Sequence, residues 1–188
     1  PVRGSAEMNA LFTRPIRNWH EWSQLYTDKA AFEPLVRAIY EKEGLPQPER
    51  LQGLTPGTNA VFRCGDTVAK VYAPVEAGFD SARDFAVEMA MLTFAQQVQG
   101  PASRLVAAGA LQDAYLFRYL ILEFIDGREA SAVLPGCTAG EKRMFALRMR
   151  DITKKLNIAS PCLLPALDVR MQAVTNERLN GLPISLQM

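Results

Sequence analysis

The chain has 188 residues, of which 48% are hydrophobic and 22% charged, values typical of a globular protein with a real core. Its formal net charge of +1 argues against the broad basic surface that binds nucleic acid. The sequence contains no run of about 18 apolar residues, so no membrane span is predicted. We therefore expect neither nucleic acid nor a membrane among its partners.

The histidine and cysteine content limits the metal sites and disulfides that the chain can form. His20 is the only histidine, so a histidine-rich metal cluster is excluded, and we assign His20, near a helix start, to the surface or to packing. Cys64, Cys137 and Cys162 lie far apart and form no Cys-x-x-Cys pair. We therefore expect reduced thiols and a cytoplasmic protein.

The first regular element predicted is an amphipathic helix over residues 28–44. Its apolar positions recur at helical spacing and are Phe32, Leu35, Val36, Ile39 and Tyr40. Gly44 is placed to end the helix, and two prolines in residues 45–50 predict a linker. These residues delimit an N-terminal helical extension, residues 1–45.

After the linker, short runs rich in valine, leucine and phenylalanine predict strands. The expected elements are, in order, strands at 50–54, 59–65 and 67–73, a helix over about 82–98, and strands at 103–111 and 114–124. Gly65-Asp66 is short enough to predict a tight hairpin between the second and third strands. Asp80 or Ser81 is placed to cap the helix.

The end of the chain is predicted to be helical. Thr138 and Glu141 have the spacing of a capping box that opens a helix reaching to about Leu156, and another helical segment covers residues 169–179. Grouped antiparallel strands with one inserted helix, followed by helices, indicate the α+β class rather than a doubly wound sheet.

An unexpected charge lies in the strand TVAKVYA. Side chains alternate across a strand, so Val68, Lys70 and Tyr72 share one face while Ala69 and Val71 share the other. Both faces are largely apolar, which suggests a strand that is covered on both sides. Lys70 either extends its ammonium group to water or meets an anion.

A second unexpected charge lies in the following helix. Phe85, Glu88, Met89 and Leu92 fall on one side of it, so Glu88 either flanks an apolar stripe and reaches water or needs a partner. Lys70 and Glu88 have opposite signs and lie on elements adjacent in sequence. The sequence therefore predicts an ion pair between them.

The loop between the first two strands can bind an anion or simply turn the chain. Gly57 permits a close backbone approach, and free amides together with the side chains of Thr58 and Asn59 can bind phosphate oxygens. Taken alone, a Pro-Gly turn is usually just a hairpin turn. The loop is not a P-loop, because no Gly-Lys-Ser/Thr follows it.

In this order, LTPGTNAVFRCGD, VAKVYAP, the Glu88 helix and LILEFIDG (120–127) resemble the N-terminal part of the aminoglycoside phosphotransferase family, the small-molecule branch of the protein-kinase-like fold. The resemblance covers roughly residues 48–157. It implies a kinase-like nucleotide-binding N-lobe over residues 46–126, with a five-stranded antiparallel sheet and one helix. Residues 127–188 would be the start of a truncated helical C-lobe.

The resemblance also implies an ATP site, with its phosphate end at the two unexpected charges. Lys70 looks like the lysine that contacts the α- and β-phosphates, and Glu88 looks like its partner on the helix. Gly57, Thr58 and Asn59 would lie over the phosphates, although the loop lacks the Gly-x-Gly-x-x-Gly of protein kinases.

The adenine end of this site would lie where LILEFIDG joins the two lobes. By the resemblance, Val68 would pack over the adenine, while the carbonyl of Glu123 and the amide of Ile125 would bind its edge. The structural alternative for LILEFIDG is a core strand that runs into a turn.

The catalytic part of the family pattern has no match in the chain. No His-Gly-Asp-x-x-x-x-Asn loop is present, Asn157 occupies a place where the family often has histidine, and Asp151 and Asp168 lack the motif. We assign those two aspartates to solvated helix surface or capping. We expect the magnesium ligands beyond residue 188, and a chain that is inactive by itself although its parent protein is a kinase.

The predicted function is thus the ATP-binding portion of a kinase that transfers the γ-phosphate to a small hydroxylated substrate. One alternative is a non-catalytic kinase-fold module that binds nucleotide for regulation, and another is an unrelated α+β domain with chance matches. Fold does not give the acceptor, so aminoglycosides, macrolides, choline-like alcohols and sugars all stay open.

Overall fold

The computed structural model describes residues 10–55, 57–79 and 81–159. These residues belong to two compact units: the first contains the chain up to Gln96 together with Ala102–Arg128, and the second contains Gln97–Pro101 and the chain from Glu129 onward. The predicted helical segment 169–179 and Asp168 lie outside the described residues. The domain boundaries predicted at 45/46 and 126/127 stay predictions.

The protein is of the α+β class, as the sequence predicts. The described helices are α1 (Trp19–Leu25), α2 (Lys29–Lys42), α3 (Ser81–Gln97), α4 (Ala130–Val133) and α5 (Ala139–Ala159), with 3-10 turns at Val75–Ala77 and Leu134–Gly136. The strands are β1 (Gln52–Gly53), β2 (Ala60–Cys64), β3 (Thr67–Val71), β4 (Leu105–Gln112) and β5 (Leu116–Glu123). Among the helices described, none has the length and apolar character needed to cross a bilayer.

The five strands form one antiparallel sheet in the order β1-β2-β3-β5-β4. The predicted hairpin at Gly65-Asp66 is confirmed, and Gly65 has a φ of +66°, which glycine adopts without strain. The first strand is shorter than the predicted 50–54. It lies at the edge of the sheet and pairs only with β2.

One face of the sheet is buried beneath α1 and α2. The apolar stripe predicted for α2 is confirmed, since all five of its residues are buried in the core. The Phe32 ring lies 4.9 Å from that of Phe12, 5.7 Å from Trp22 and 5.5 Å from Phe62 of β2, measured between ring centroids. We call this surface the aromatic face of the sheet. It fixes both helices on the strands.

For helix α1 the sequence indicated only a helix start near His20, without bounds. Its N-cap is Asn18, whose side chain accepts a hydrogen bond from the Glu21 amide at 3.0 Å, while Glu21 accepts one from the Arg17 amide at 2.8 Å. This Asn-x-x-Glu pattern is a capping signal readable in the sequence. His20 lies on the exposed side of the helix, and this confirms its surface assignment.

The other face of the sheet carries α3, which agrees with the predicted helix within a residue at each end. The capping role predicted for Ser81 is wrong. Ser81 is the first helical residue and thus follows the N-cap position, and its hydroxyl donates to the Ala73 carbonyl. The alternative cap, Asp80, lies outside the described residues.

The second unit contains α4 and α5. The predicted capping box is confirmed: the Thr138 amide donates to Glu141 at 2.8 Å, and the Glu141 amide donates to the Thr138 hydroxyl oxygen at 3.3 Å. The hydrogen bond from the Thr138 amide holds the pKa of Glu141 below its usual range. Asp151 is exposed and pairs with Arg150, which confirms its assignment to solvated helix surface.

Candidate functional site

The predicted ion pair between Lys70 and Glu88 is present in the first unit. The Lys70 ammonium on β3 contacts the Oε2 atom of Glu88 on α3. The two side chains are 20% and 32% exposed, so both charges lie mostly out of water but can still be reached by a ligand. Strand alternation places Lys70 on the face opposite the aromatic one, and helical periodicity turns Glu88 toward it. We call this surface the Lys70 face.

Tyr72 is a third member of this cluster. Its hydroxyl donates to the same Oε2 atom of Glu88 at 2.5 Å, and its fully buried ring meets Phe85 edge-on at 5.4 Å. The Lys70 ammonium lies 5.2 Å from the centre of the Tyr72 ring, within cation–π range. Burial, reinforced by the Glu88 carboxylate, raises the pKa of Tyr72, so the hydroxyl stays protonated and donates.

The register of the sheet surrounds Lys70 with apolar side chains. Val61 of β2 and Leu120 of β5 are its direct neighbours across the strands, and Leu122 stands beside Val68 in the next row. All four share the Lys70 face, because they follow the same alternation. Leu120 is buried and the other three are half-buried. The direct cross-strand neighbours of Lys70 are thus aliphatic, while the next row of the same face also contains Arg63, opposite Val68.

Glu123 and Ile125, the two residues predicted to bind the adenine edge, differ in their hydrogen bonding. The Glu123 carbonyl accepts a hydrogen bond from the Ser103 hydroxyl at 2.6 Å, which occupies one of its two lone pairs. Ile125 is 62% exposed, and its amide has no hydrogen-bond partner among the described residues. Between them, the Phe124 amide donates to the Asp66 carbonyl at 2.8 Å and anchors the chain. The amide at Ile125 is therefore available to a ligand.

The loop before β2 is tied down from the aromatic face. The Trp22 indole donates to the Thr58 carbonyl at 2.8 Å, while Gly57 and the remainder of Thr58 are exposed. Asn59 is only 8% exposed, and its Oδ1 is buried with no partner among the described residues. That oxygen is an acceptor and does not suit a phosphate. Gly57 and Thr58 are the residues of this loop that a ligand can reach.

Of the residues named from the sequence, the structure brings Lys70 and Glu88 into contact, and the ligand-binding roles of the others stay predictions. Lys70, Glu88 and Val68 belong to one face of one unit, and the Ile125 amide lies just beyond the strand that borders Val68. Sequence reasoning missed the part played by Tyr72. The available signal was its position two residues after Lys70 on the same face.

A cavity of about 560 Å³ lies elsewhere in the first unit, where the 45–50 linker meets the β2–β3 turn. Tyr40, Cys64 and Thr67 line it, and the Tyr40 hydroxyl is already paired with that of Thr67 at 2.7 Å. Burial raises the pKa of the Cys64 thiol, which makes it a poor nucleophile. The cavity adds no group to the Lys70 cluster.

Among the described residues, no three histidine, cysteine, aspartate or glutamate side chains come together in a way that could hold a metal ion. No protein-family model matches the chain, and no curated protein does either. A functional interpretation therefore depends on the residues and their geometry.

Proposed function

We propose that the first unit binds the phosphates of ATP on Lys70, as the nucleotide-binding portion of a small-molecule kinase. The observation that carries the proposal is the Lys70–Glu88 contact on a half-buried face. An ammonium group has three donors, and Glu88 accepts from one of them, while the Tyr72 hydroxyl donates to Glu88 and takes none. The remaining donors can bind phosphate oxygens in surroundings that exclude much of the competing water.

The aliphatic side chains beside Lys70 support the adenine part of the proposal. Val68 lies between Arg63 of β2 and Leu122 of β5, with Val61 in the adjacent row, and these side chains offer a surface of the kind on which a purine ring packs. The Ile125 amide would donate to the adenine edge, and the Glu123 carbonyl has a second lone pair to accept from it. The protein-kinase-like N-lobe is the fold that this arrangement fits, and we propose it for the first unit.

The phosphoryl-transfer part of the proposal needs residues outside those described. Transfer requires ligands for magnesium and a group that orients the acceptor hydroxyl. We assign both to residues other than Lys70 and Glu88, which bind and neutralise the phosphates without acting on the acceptor. The substrate would be a small hydroxylated molecule, as the family resemblance implies.

Nucleotide binding tests the proposal directly. ATP affinity of the whole 188-residue chain is measured by equilibrium dialysis for the parent chain, for Lys70→Met and for Lys29→Met, whose lysine is exposed on α2. We expect Lys70→Met to weaken binding at least about tenfold, because it removes a charge-assisted hydrogen bond, and Lys29→Met to have no effect. Equal affinities in all three proteins would overturn the proposal.

A second measurement separates a kinase from a nucleotide-binding module. The protein extended beyond residue 188 is incubated with ATP, magnesium and a panel of hydroxylated small molecules, and ADP release is followed. Turnover that depends on an acceptor supports the kinase, whereas tight binding without turnover supports the regulatory module.

A further inference from the structure

Tyr72, the residue that follows β3, has a fully buried ring that lies on the Lys70 face. Every other fully buried aromatic residue belongs to the core on the opposite face, and Tyr72 does not. Its backbone is fixed by the sheet, since its amide donates to the Arg118 carbonyl at 2.9 Å. The hydroxyl therefore projects from a rigid strand toward α3.

Helix α3 needs such a contact at the level of Glu88. The buried residues of α3 are Ser81, Phe94 and Ala95, which lie at the two ends of the helix. In the middle, Phe85 is half-buried and meets the Tyr72 ring edge-on. Hydrophobic packing alone thus leaves the Glu88 side chain free to adopt several rotamers, and fixing one of them costs conformational entropy.

The two donors on Glu88 converge on one oxygen atom. Both the Lys70 ammonium and the Tyr72 hydroxyl contact Oε2, so the carboxylate is held from the lysine side and from the tyrosine side at once. A hydrogen bond to a charged acceptor is about twice as strong as one between neutral groups. That is enough to offset the rotamer cost and to favour one position of Glu88.

We propose that Tyr72 is a positioning residue, which fixes Glu88 on the Lys70 ammonium before any ligand arrives. The Lys70 ammonium is thereby held in the position in which it can bind an anion. No ligand is needed to bring Glu88 of α3 into contact with it. The identity of that anion as the phosphates of ATP rests on the proposed function; the positioning of the ion pair does not.

A purely structural role for Tyr72 predicts a different result. If the ring only fills space beneath α3, Tyr72→Phe should leave the reactivity of Lys70 unchanged, because the substitution removes only the hydroxyl. Tyr119→Phe is the matched control: its hydroxyl also donates to a glutamate, Glu43, but on the aromatic face, away from Lys70. The two substitutions remove the same chemistry from opposite faces.

The first readout is the rate at which the Lys70 amine is acetylated by an N-hydroxysuccinimide ester, followed by mass spectrometry with exposed Lys154 as internal reference. A paired amine reacts slowly, because the carboxylate that holds it must first move away. We expect Tyr72→Phe to speed Lys70 labelling about five- to tenfold and Tyr119→Phe to leave it unchanged. Unchanged labelling of Lys70 in Tyr72→Phe would overturn the proposal.

The second readout shows whether Tyr72 acts through Glu88. In a Glu88→Ala background, Tyr72→Phe should no longer change the labelling rate, because the residue that it positions is absent. A full effect in that background would also overturn the proposal. Urea midpoints of the two tyrosine variants report whether each protein is folded under the labelling conditions.

ATP affinity separates the positioning proposal from the proposed function. We expect Tyr72→Phe to raise the ATP dissociation constant by about the same factor as the labelling rate, while Tyr119→Phe matches the parent chain. If labelling responds as expected but neither Tyr72→Phe nor Lys70→Met changes ATP affinity, the positioning role stands and the nucleotide assignment fails.

Discussion

The two faces of the sheet share the same strands but differ in what they bury. The aromatic face packs residues such as Phe32, Phe62 and Phe117 against helices, and its side chains are essentially inaccessible. The Lys70 face carries an ion pair and a tyrosine hydroxyl among half-buried aliphatic side chains. Alternation along β2, β3 and β5 produces both surfaces from one set of strands.

The aromatic face stabilises the fold, whereas the Lys70 face carries the charged groups that can bind a ligand. Burying a large apolar side chain contributes about 1.5–3 kcal/mol, so the aromatic face supplies most of the stability of the first unit. The Lys70 face is drier than bulk water but still open, and there a charge interacts more strongly and a ligand can enter. A rigid sheet held from one side lets the other side carry charges that a core would exclude.

The largest expected effect comes from the aromatic face. Phe32→Ala should destabilise the protein by about 3–5 kcal/mol, because the ring is fully buried among other rings and leaves a cavity. Phe85→Ala, which truncates the half-buried phenylalanine of α3, should cost clearly less. Urea unfolding followed by circular dichroism measures both. Similar costs for the two variants would remove the distinction between the faces.

The next effect concerns the ion pair itself. Lys70→Met and Glu88→Gln should each cost about 1–3 kcal/mol, because each leaves a partly buried polar partner unsatisfied. The double variant should cost less than the sum, since removing both charges leaves no unpaired one. The same urea titrations give all four corners of the cycle. Strictly additive costs would show that the two charges do not interact.

Much of the Lys70 face could be predicted from the sequence, because its determinants are local. The hairpin turn at Gly65-Asp66 sets the β2–β3 register, and the opposite charges of Lys70 and Glu88 on neighbouring elements predict their contact. Strand alternation placed Val68 and Lys70 together. These features depend on residues less than about twenty positions apart.

The rest depends on long-range pairing, which a single sequence does not reveal. The neighbours Leu120 and Leu122 come from β5, about fifty residues after β3, and their register follows from the packing of the whole sheet. The direction of the Tyr72 hydroxyl depends on where α3 comes to rest. The extent of helix α1 was missed because its Asn18 capping signal precedes only a short helix with little periodicity.

Alkaline pH should affect the two faces alike. Burial is the main cause that raises the pKa of Tyr72 on one face and of Tyr40 on the other, above the usual value of 10.0. A group whose folded pKa is raised contributes stability below its unfolded pKa and loses that contribution as the pH rises further. Stability should therefore fall above about pH 10, by roughly 1.4 kcal/mol per pH unit for each such tyrosine.

Tyrosine-to-phenylalanine variants check this expectation. Tyr72→Phe and Tyr40→Phe should each flatten the decline of the unfolding free energy between about pH 10 and pH 11, relative to the parent chain. A surface variant such as Lys29→Met serves as control. If only one of the two variants flattens the profile, burial is not the shared cause, and the faces differ in more than their charges.

The smallest effect is expected for an ion pair that lacks the half-buried setting of Lys70 and Glu88. Arg104 and Glu123 lie 3.1 Å apart with side chains 64% and 51% exposed. Water screens such a pair, and holding two long side chains in one geometry costs entropy, so its coupling should be about 0–1 kcal/mol. Urea unfolding of Arg104→Ala, Glu123→Gln and the double variant measures this coupling.

Salt gives a second test of the difference between the two ion pairs. Adding about 0.5 M salt should abolish the Arg104–Glu123 coupling while leaving most of the Lys70–Glu88 coupling. A coupling at Arg104–Glu123 equal to that at Lys70–Glu88 would mean that burial on the Lys70 face does not strengthen its charges.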